Sequence, residues 1–190
     1  MGTSLLLTPV SIYAFDEPVR SWVLEHRNPY ADRFFAVSNL FGDGKYHAGV
    51  WLGVTAAGYL LKNDEIYSFG KWGTLSFLAT GITTVGLKVA IGRARPHLGM
   101  GAKTFHPMSL EDGFNSLPSG HTSVAFSSAG YVFARTENPW VRWGGVALAS
   151  TVGMARIYRD RHWLSDVIMG AGIGFATGYF VGRLAERLER

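Results

Sequence analysis

Cationic, imidazole and carboxylate side chains occur together near the end of this sequence, beside an apolar stretch. Arg156 is followed by His162, and Asp166 lies four residues after that histidine. Residues four apart are neighbours on one face of a helix. The spacing therefore lets the carboxylate accept a hydrogen bond from one ring nitrogen of His162, which leaves the other nitrogen to act as a nucleophile or a base.

A pair of cations lies earlier in the chain, also at the edge of an apolar stretch. Lys88 precedes Arg95 by seven residues, and because this is nearly two turns of helix, the spacing predicts both cations on one helix face. Pro96 disfavours continuing the helix through residue 95. Taken alone, each cation is more typical of an interface anchor than of an anion site.

A helix start provides the third feature. Residues 118–121 read Pro-Ser-Gly-His and open another apolar stretch. A proline followed by serine and glycine is typical of a helix N-terminus, where unpaired backbone N–H groups can bind an anion. Ser119, Gly120 and His121 are therefore candidate site residues, although such a tetrapeptide is most often only a turn.

The elements that must position these residues are predicted to be helices. Five apolar stretches show no two-residue alternation and are rich in Gly, Ala, Ser and Thr, which favours helix over strand. They lie between Lys45 and Lys62, Lys71 and Lys88, His121 and Arg135, Arg142 and Arg156, and Trp163 and Gly182. Four are shorter than the roughly 17 residues that span a bilayer, but small residues favour close helix packing in lipid. We predict an all-α helical bundle, a polytopic membrane protein with about five to six spanning or embedded helices; a soluble all-helical domain is the alternative.

Composition narrows the class of protein. The 190 residues include 17% charged side chains, 24 glycines and no cysteine, and the net charge is +4. These values exclude a disordered chain, a collagen, a disulfide framework and a zinc ribbon. Because the arginines are scattered, no nucleic-acid partner is expected. The length predicts a single domain over residues 1–190.

The first 44 residues differ from the rest. Leu5 to Phe15 is an apolar run that is too short to span a bilayer and lacks the basic start of a secretory signal. Residues 16–43 interleave aromatic side chains with arginines, so residues 1–44 are predicted to form interfacial or amphipathic helices. The bundle of residues 45–190 would carry the site. Residues 97–118 are predicted to form the one long loop.

The candidate residues come together on one side if each apolar stretch crosses the bilayer, or the bundle, once. Successive stretches then run in opposite directions, so the ends of the second and fourth lie on the same side as the starts of the third and fifth. Three cations, two imidazoles, a helix N-terminus and a carboxylate would surround a volume that fits a phosphate. A protein that only bound anions would not need a carboxylate-oriented histidine facing a second histidine.

These motifs resemble the three-part signature of the type 2 phosphatidic acid phosphatase family, which also includes bacterial acid phosphatases and vanadium haloperoxidases. The matching segments are Lys88-x6-Arg95-Pro96, Pro118-Ser119-Gly120-His121 and Arg156-x5-His162-x3-Asp166. Ala155 stands where the family commonly has serine, which removes a hydrogen-bond donor but no charge. The resemblance covers residues 88–166 and says little about the first 45.

The resemblance implies a metal-independent phosphatase without a cofactor. His162 would attack phosphorus and form a phosphohistidine, Asp166 would fix the tautomer of that histidine, and His121 would protonate the leaving oxygen. The phosphate oxygens would be held by Lys88, Arg95, Ser119, Gly120 and Arg156. Glu111 and Asp112 stand isolated in the predicted loop, so no carboxylate cluster is expected to bind a metal.

The expected substrate is a lipid phosphate or diphosphate, because a site at the bilayer edge suits an amphiphile. Phosphatidylglycerophosphate, phosphatidic acid and polyprenyl diphosphate all fit. The alternatives are a soluble acid phosphatase for small phosphomonoesters, a haloperoxidase, for which the sequence offers no specific support, and a non-enzymatic membrane anion-binding protein. Seven basic residues on the non-catalytic side against five on the other predict a multi-pass protein of the cell membrane with an outward-facing site.

The last apolar stretch carries a further pattern. Continuing the four-residue step from His162 and Asp166 leads to four glycines, Gly170, Gly174, Gly178 and Gly182. We predict that this ridge faces the bundle, where glycine admits a neighbouring helix at short distance and so holds His162 in place. The alternative is that glycine is merely frequent here.

Overall fold

A computed structural model describes residues 14–189 of the chain. Within that range the chain forms seven α-helices and no β-strand beyond one isolated bridge. The helices are α1 (Asp16–Glu25), α2 (Pro29–Leu40), α3 (Gly44–Leu60), α4 (Asp64–Ile91), α5 (Gly120–Arg135), α6 (Pro139–Tyr158) and α7 (Leu164–Leu188). The all-α prediction is confirmed, and the five apolar stretches form α3 to α7. The predicted apolar run from Leu5 to Phe15 lies almost entirely outside the described residues.

Polar residues fix where several helices begin. Asn28, Asn63 and Asn138 precede α2, α4 and α6, and their side chains accept hydrogen bonds from N–H groups of the first turn. Asp43 does the same for α3 by accepting from the Lys45 N–H at 2.9 Å. Such caps satisfy backbone donors that have no partner inside the helix. The polar residues between apolar stretches therefore set where these four helices start.

A ridge of glycines packs α7 against α5. A Cβ on Gly174 would overlap the carbonyl oxygen of Ser123, and a Cβ on Gly178 would overlap that of Ser127. All four positions of the ridge meet α5 or the residue that caps it, namely Gly170, Gly174, Gly178 and Gly182. Only glycine leaves room for backbones this close. The predicted ridge is confirmed, and its partner is the helix whose first turn carries His121.

The inner face of α4 is polar, and its outer face is apolar. Its buried residues are Gly70, Gly73, Ser76, Thr80 and Thr84. The hydroxyls of Ser76 and Thr80 each lie 2.8 Å from the Ser127 hydroxyl of α5. Four large apolar side chains are exposed on the other side, Leu75, Leu78, Ile82 and Val85. A helix on the surface of a water-soluble core shows the reverse arrangement, so α4 suits an apolar surrounding.

The helices differ in their capacity to cross a bilayer. Between residues 14 and 189, α4 and α7 are long and apolar enough to cross a membrane by length and composition. The shorter α3 and α5 have 17 and 16 residues, and at about 1.5 Å per residue they fall short of a hydrocarbon core of about 30 Å. The all-α bundle is confirmed, whereas the predicted number of five to six spanning or embedded helices stays a prediction.

The long loop starts where α4 stops. Gly92 has a φ of 60°, and a Cβ there would overlap the carbonyl group of His106, so both the left-handed backbone and the close approach require glycine. The loop contains two short 3-10 turns, Pro96–Leu98 and Asp112–Phe114, and leads into α5 after Ser119. The predicted long loop is confirmed.

The two N-terminal helices pack near the end of α6. Arg20 of α1 pairs with Asp160 through two hydrogen bonds of 2.7 and 2.9 Å. Phe35 of α2 contacts Tyr158 with ring centroids 4.6 Å apart. Several large side chains of these helices are exposed, namely Trp22, Tyr30, Phe34, Val37 and Leu40. Helices are therefore present where the sequence predicted them, and their location at a membrane interface stays a prediction.

Candidate active site

The histidine and carboxylate of the last motif meet as their spacing predicted. Nδ1 of His162 lies 3.4 Å from Oδ2 of Asp166. His162 precedes α7 in the short connection from α6, and Asp166 lies in the first turn of α7, where its Oδ2 also accepts from the Trp163 N–H at 2.9 Å. Both side chains are buried. The contact leaves Nε2 of His162 as the ring nitrogen that is directed away from Asp166.

Two residues that the sequence did not single out complete the surroundings of Asp166. The Ser116 hydroxyl donates to Oδ2 at 2.5 Å, and the Arg93 guanidinium donates to Oδ1 at 2.6 Å. Both are fully buried. The sequence did contain a signal for Arg93, because this arginine lies at the edge of an apolar stretch, two residues before Arg95. No pattern in the sequence distinguished Ser116 from other loop serines.

The structure corrects the predicted placement of the two cations of the first motif. Lys88 lies in the last turn of α4, but Arg95 has extended backbone beyond the helix end. The two cations therefore do not share a helix face, because Gly92 ends the helix. They converge instead on Asn115: Lys88 Nζ donates to its backbone oxygen, and Arg95 donates to its Oδ1 through Nε at 2.8 Å and Nη2 at 2.6 Å.

Asp112 of the loop contacts an amide and a guanidinium. Its Oδ1 accepts from Asn115 Nδ2 at 2.8 Å and lies 3.4 Å from Nη2 of Arg95. The hydrogen bond from Asn115, followed by the charge of Arg95, lowers the pKa of the Asp112 carboxyl below its usual value. Asp112 and Asn115 together form a bracket on the loop that holds the Arg95 side chain.

The second motif forms the helix start that was predicted. Ser119 caps α5, its N–H donates to the backbone oxygen of Asp166 at 3.0 Å, and its buried hydroxyl accepts from Thr122 at 2.9 Å. The Lys88 side chain passes over Gly120, since Cε lies 3.6 Å from where a Cβ would stand. His121 follows in the first turn, partly exposed, where the charges of Arg156, Lys88 and Arg95 act on it.

Arg156 comes to the same place from the last turn of α6. It is 8% exposed, and its Nη1 donates to the side-chain oxygen of Asn39 at 2.5 Å. Its Nε is buried and has no hydrogen-bond partner among the described residues. A buried guanidinium N–H without a partner is costly, so this group is available to an anion. Asn39 was not predicted, since nothing in the sequence links α2 to Arg156.

The electrostatic surroundings keep His162 neutral. Burial lowers the pKa of His162 below the ordinary value, and the nearby charges of Lys88 and Arg156 lower it further, against the opposing effect of the hydrogen bond to Asp166. A neutral imidazole has a lone pair available for attack. The cations that lower this pKa are groups of the kind that attracts a phosphate.

The structure thus brings all eight predicted site residues to one end of the bundle. They are Lys88, Arg95, Ser119, Gly120, His121, Arg156, His162 and Asp166. Two imidazoles, three cations and a helix N-terminus therefore lie at one end of the bundle, and such a set of groups has the chemistry needed to bind and transfer a phosphoryl group. Over residues 14–189 no group of three or more His, Cys, Asp or Glu side chains is arranged to hold a metal ion.

Known proteins share the sequence of the larger part of this chain. Residues 71–190 match the family model described as the PAP2 superfamily. A lipid A 1-phosphatase of Porphyromonas gingivalis is 40% identical over 78 residues, which are 38% of this chain and 18% of that protein. A probable diacylglycerol pyrophosphate phosphatase 1 of Schizosaccharomyces pombe is 30% identical over 162 residues, 62% of this chain and 58% of that protein. The chain therefore spans less than two thirds of the length of these relatives.

Solved structures share the fold. The crystal structure of a transmembrane PAP2-type phosphatidylglycerolphosphate phosphatase from Bacillus subtilis superposes with a TM-score of 0.75 and 22% identity over 99% of this chain and 94% of that one. The structure of LpxE from Aquifex aeolicus gives a TM-score of 0.68 and 22% identity over 88% of this chain and 94% of that one. The likeness includes the N-terminal helices, which lie outside the region matched by the family model.

Proposed function

The chain belongs to the PAP2 superfamily, and we propose that it is a metal-independent membrane phosphatase that hydrolyses a lipid phosphate or diphosphate. The observation that carries the proposal is the arrangement of His162: it is neutral, buried and held through Nδ1 by Asp166, and it lies near Lys88 and Arg156, whose charges also act on His121. A protein that only bound phosphate would need the cations but not the oriented histidine. Residues 1–190 would act as a single phosphatase domain.

The first chemical step would transfer the phosphoryl group to the enzyme. The Nε2 lone pair of His162 forms a bond to phosphorus while the ester P–O bond breaks, and the leaving oxygen takes a proton from His121. Asp166 accepts the hydrogen bond from Nδ1 and stabilises the positive charge that develops on the ring. In the second step His121 takes a proton from water, whose oxygen attacks phosphorus and releases His162 and inorganic phosphate.

The remaining site residues would stabilise the charge of the phosphoryl oxygens. Arg95 is held by the Asn115 side chain, and Arg156 keeps its Nε unpaired. Lys88 and the Gly120 N–H, at the start of α5, would contact further oxygens, with the Ser119 hydroxyl as an additional donor. Such donors act without reorganisation because the loop and three helix ends already fix them.

A lipid substrate is supported by the faces of the helices. The apolar outer face of α4 and the two helices long enough to cross a bilayer suit a protein of the cell membrane with several crossings. A site at the end of such a bundle reaches a phosphate in the headgroup layer while the substrate's tails remain in lipid. Phosphatidylglycerophosphate, phosphatidic acid and polyprenyl diphosphate share this chemistry, and the names of the relatives above are of the same class.

The site is proposed to face outward. Basic residues concentrate on the cytoplasmic side of membrane proteins. Six described residues of this kind belong to the non-catalytic side, namely Lys62, Lys71, Arg135, Arg142, Arg183 and Arg187. The sequence count of seven also includes Arg190, which lies outside the described residues. Counted over residues 45–190, the catalytic side carries five beyond the three phosphate ligands, and one of these, Arg93, is buried in an ion pair rather than directed to the surface. The arginines of α1 and α2 are left out of this count, and Arg20 pairs with Asp160 at the catalytic end.

The decisive experiment is phosphate release from a panel of substrates in detergent. The panel contains the three lipid classes above and small soluble phosphomonoesters, and the His162→Ala variant is the control. Release from a lipid that is abolished by His162→Ala is the expected result. Preference for soluble esters, with extraction from membranes by high salt alone, would indicate a soluble acid phosphatase, and undiminished function of His162→Ala would indicate an anion-binding protein.

A further inference from the structure

We propose that Asp16 and Arg93 are positioning residues for the phosphoryl-transfer reaction, which hold the Asp166 carboxylate behind His162. This inference rests on the proposed function. A line of four side chains runs from the candidate nucleophile to the N-terminal helix, His162 to Asp166 to Arg93 to Asp16. In the two ion pairs of this line, Arg93 with Asp166 and Arg93 with Asp16, every side chain is fully buried.

The guanidinium of Arg93 is completely occupied. Its Nη1 donates to Asp166 Oδ1 and to the Ser165 hydroxyl, both at 2.6 Å. Its Nη2 donates to Asp16 Oδ2 at 2.7 Å and to the Ala102 carbonyl at 2.7 Å, and Nε donates to the same carbonyl at 3.0 Å. All five N–H groups therefore have acceptors within the protein. Arg93 faces away from the phosphate volume and serves as a support rather than a ligand.

Asp16 ties this guanidinium to the start of α7. Its Oδ1 accepts from the Ser165 N–H at 2.9 Å, and its Oδ2 accepts from the Ser165 hydroxyl at 2.5 Å. Ser165 immediately precedes Asp166. One carboxylate of α1 thus fixes both the backbone beside Asp166 and the arginine that bonds to it. Charge-assisted hydrogen bonds of this kind set side-chain orientation more strongly than neutral ones.

The two oxygens of Asp166 have separate tasks. Oδ1 accepts from Arg93, while Oδ2 accepts from Ser116 and Trp163 and faces His162. Because one oxygen is fixed from behind, the carboxylate cannot rotate away from the ring. Groups that orient a ligating or catalytic side chain in this way commonly affect activity by about 10–100-fold when they are removed.

Charge balance gives Asp16 a further task. With His162 neutral, the buried network contains two carboxylates and one guanidinium, so it carries one net negative charge. Phosphorylation of His162 places a positive charge on the ring, which this excess offsets. Without Asp16 the guanidinium would neutralise Asp166, and the developing ring charge would lose that compensation. The transfer step should therefore depend on Asp16, while phosphate binding should not.

The test compares two variants of α1. Asp16→Asn removes the charge that contacts Arg93, whereas Arg20→Gln removes a different tie between α1 and the catalytic end, the salt bridge to Asp160. We expect Asp16→Asn to lower kcat by about 10–100-fold with KM and the inhibition constant of inorganic phosphate changed by less than about twofold. Arg20→Gln should keep kcat within about twofold. Thermal unfolding of both variants is measured alongside.

Equal losses of kcat in both variants, in proportion to lost thermal stability, would overturn the proposal, as would full activity of Asp16→Asn. If Asp16→Asn does not fold, Ser165→Ala provides the second test, because it removes the hydroxyl that lies between Arg93 and Asp16. It is expected to lower kcat by roughly 2–10-fold, the equivalent of one hydrogen bond, and an unchanged kcat would overturn the proposal. His162→Ala separates the two hypotheses: if it stays active, the proposed function fails, whereas an inactive His162→Ala with a fully active Asp16→Asn contradicts only the positioning role.

Discussion

The two ends of α7 are held by opposite kinds of contact. Its first turn is fixed by charge, since Asp166 and Ser165 bond to Arg93 and Asp16 in a fully buried network. The rest of the helix is fixed by close backbone packing. At glycines such as Gly174, the backbones of α7 and α5 approach so closely that no side chain fits between the two helices. The first arrangement sets the direction of one carboxylate, and the second sets the position of the whole helix. Activity should therefore be most sensitive to the charged end and stability to the glycine end.

Replacing the carboxylate itself should give the largest effect. Asp166→Asn keeps the shape but supplies no charge to the His162 ring, so kcat should fall by about 10⁴-fold, as is typical when the acid that orients a catalytic histidine is made neutral. Inhibition by inorganic phosphate should be retained, because Lys88, Arg95 and Arg156 are untouched. Steady-state kinetics on the preferred lipid measures both, and a kcat within tenfold of the parent would contradict the assigned role.

A side chain on the glycine ridge should act on stability. Gly174→Leu forces atoms into the backbone of α5. Overpacking typically costs about 1–3 kcal/mol and occasionally more, and a clash with backbone belongs to the upper end of that range. We expect a strongly lowered melting temperature or loss of folded protein. Gly53→Leu on α3 is the matched control, because nothing lies within 4 Å of its Cβ position. If both variants unfold at the parent temperature, the ridge does not control stability.

The bracket that holds Arg95 should affect substrate binding. Asn115→Ala removes the oxygen that accepts two hydrogen bonds from Arg95, so the guanidinium loses its fixed direction. The loss of two charge-assisted hydrogen bonds of this kind should raise KM by about tenfold, with a smaller change in kcat. The melting temperature should stay close to that of the parent. A loss confined to kcat would assign Asn115 to the transfer step instead.

The smallest effect concerns pH. His162 must be neutral to attack, and burial lowers its pKa, so protonation should inactivate the enzyme only below the ordinary histidine value of about 6.5. The acid limb of kcat/KM should therefore lie below that pH. The acid limb is measured with two substrates whose phosphates ionise at different pH values. If the limb reports a group of the enzyme, it should lie at the same pH for both substrates. A limb at or above pH 6.5 that is common to both would contradict a neutral, buried His162.

Sequence reasoning succeeded where a short spacing along the chain decides the outcome. The i+4 relation of His162 and Asp166, the helix start at Ser119 and the four-glycine ridge all depend on residues a few positions apart. It failed for Lys88 and Arg95, where the heptad spacing predicted a shared helix face. The glycine that ends α4 was visible in the sequence, but its left-handed conformation was not.

Residues missed by the sequence share one property: their partners are distant in the chain. Asp16 meets Ser165 and Arg93, and Asn39 meets Arg156. No periodicity connects such pairs, because it reports only on the element in which it occurs. The aromatic and basic pattern of the first 44 residues predicted the N-terminal helices, but it carried no sign that one of them reaches the catalytic end.

The sequence by itself determined the helices, the family resemblance and the eight residues that are proposed to bind and transfer the phosphate. Local spacing, helix caps and charges at the edges of apolar stretches suffice for these, since each depends on the geometry of a single helix or turn. Only the tertiary structure decided which charges are buried and against what, because desolvation and ion pairing depend on groups that the fold brings together. For this reason Arg93 reads as one more surface cation in the sequence, and in the structure it is the buried support of Asp166.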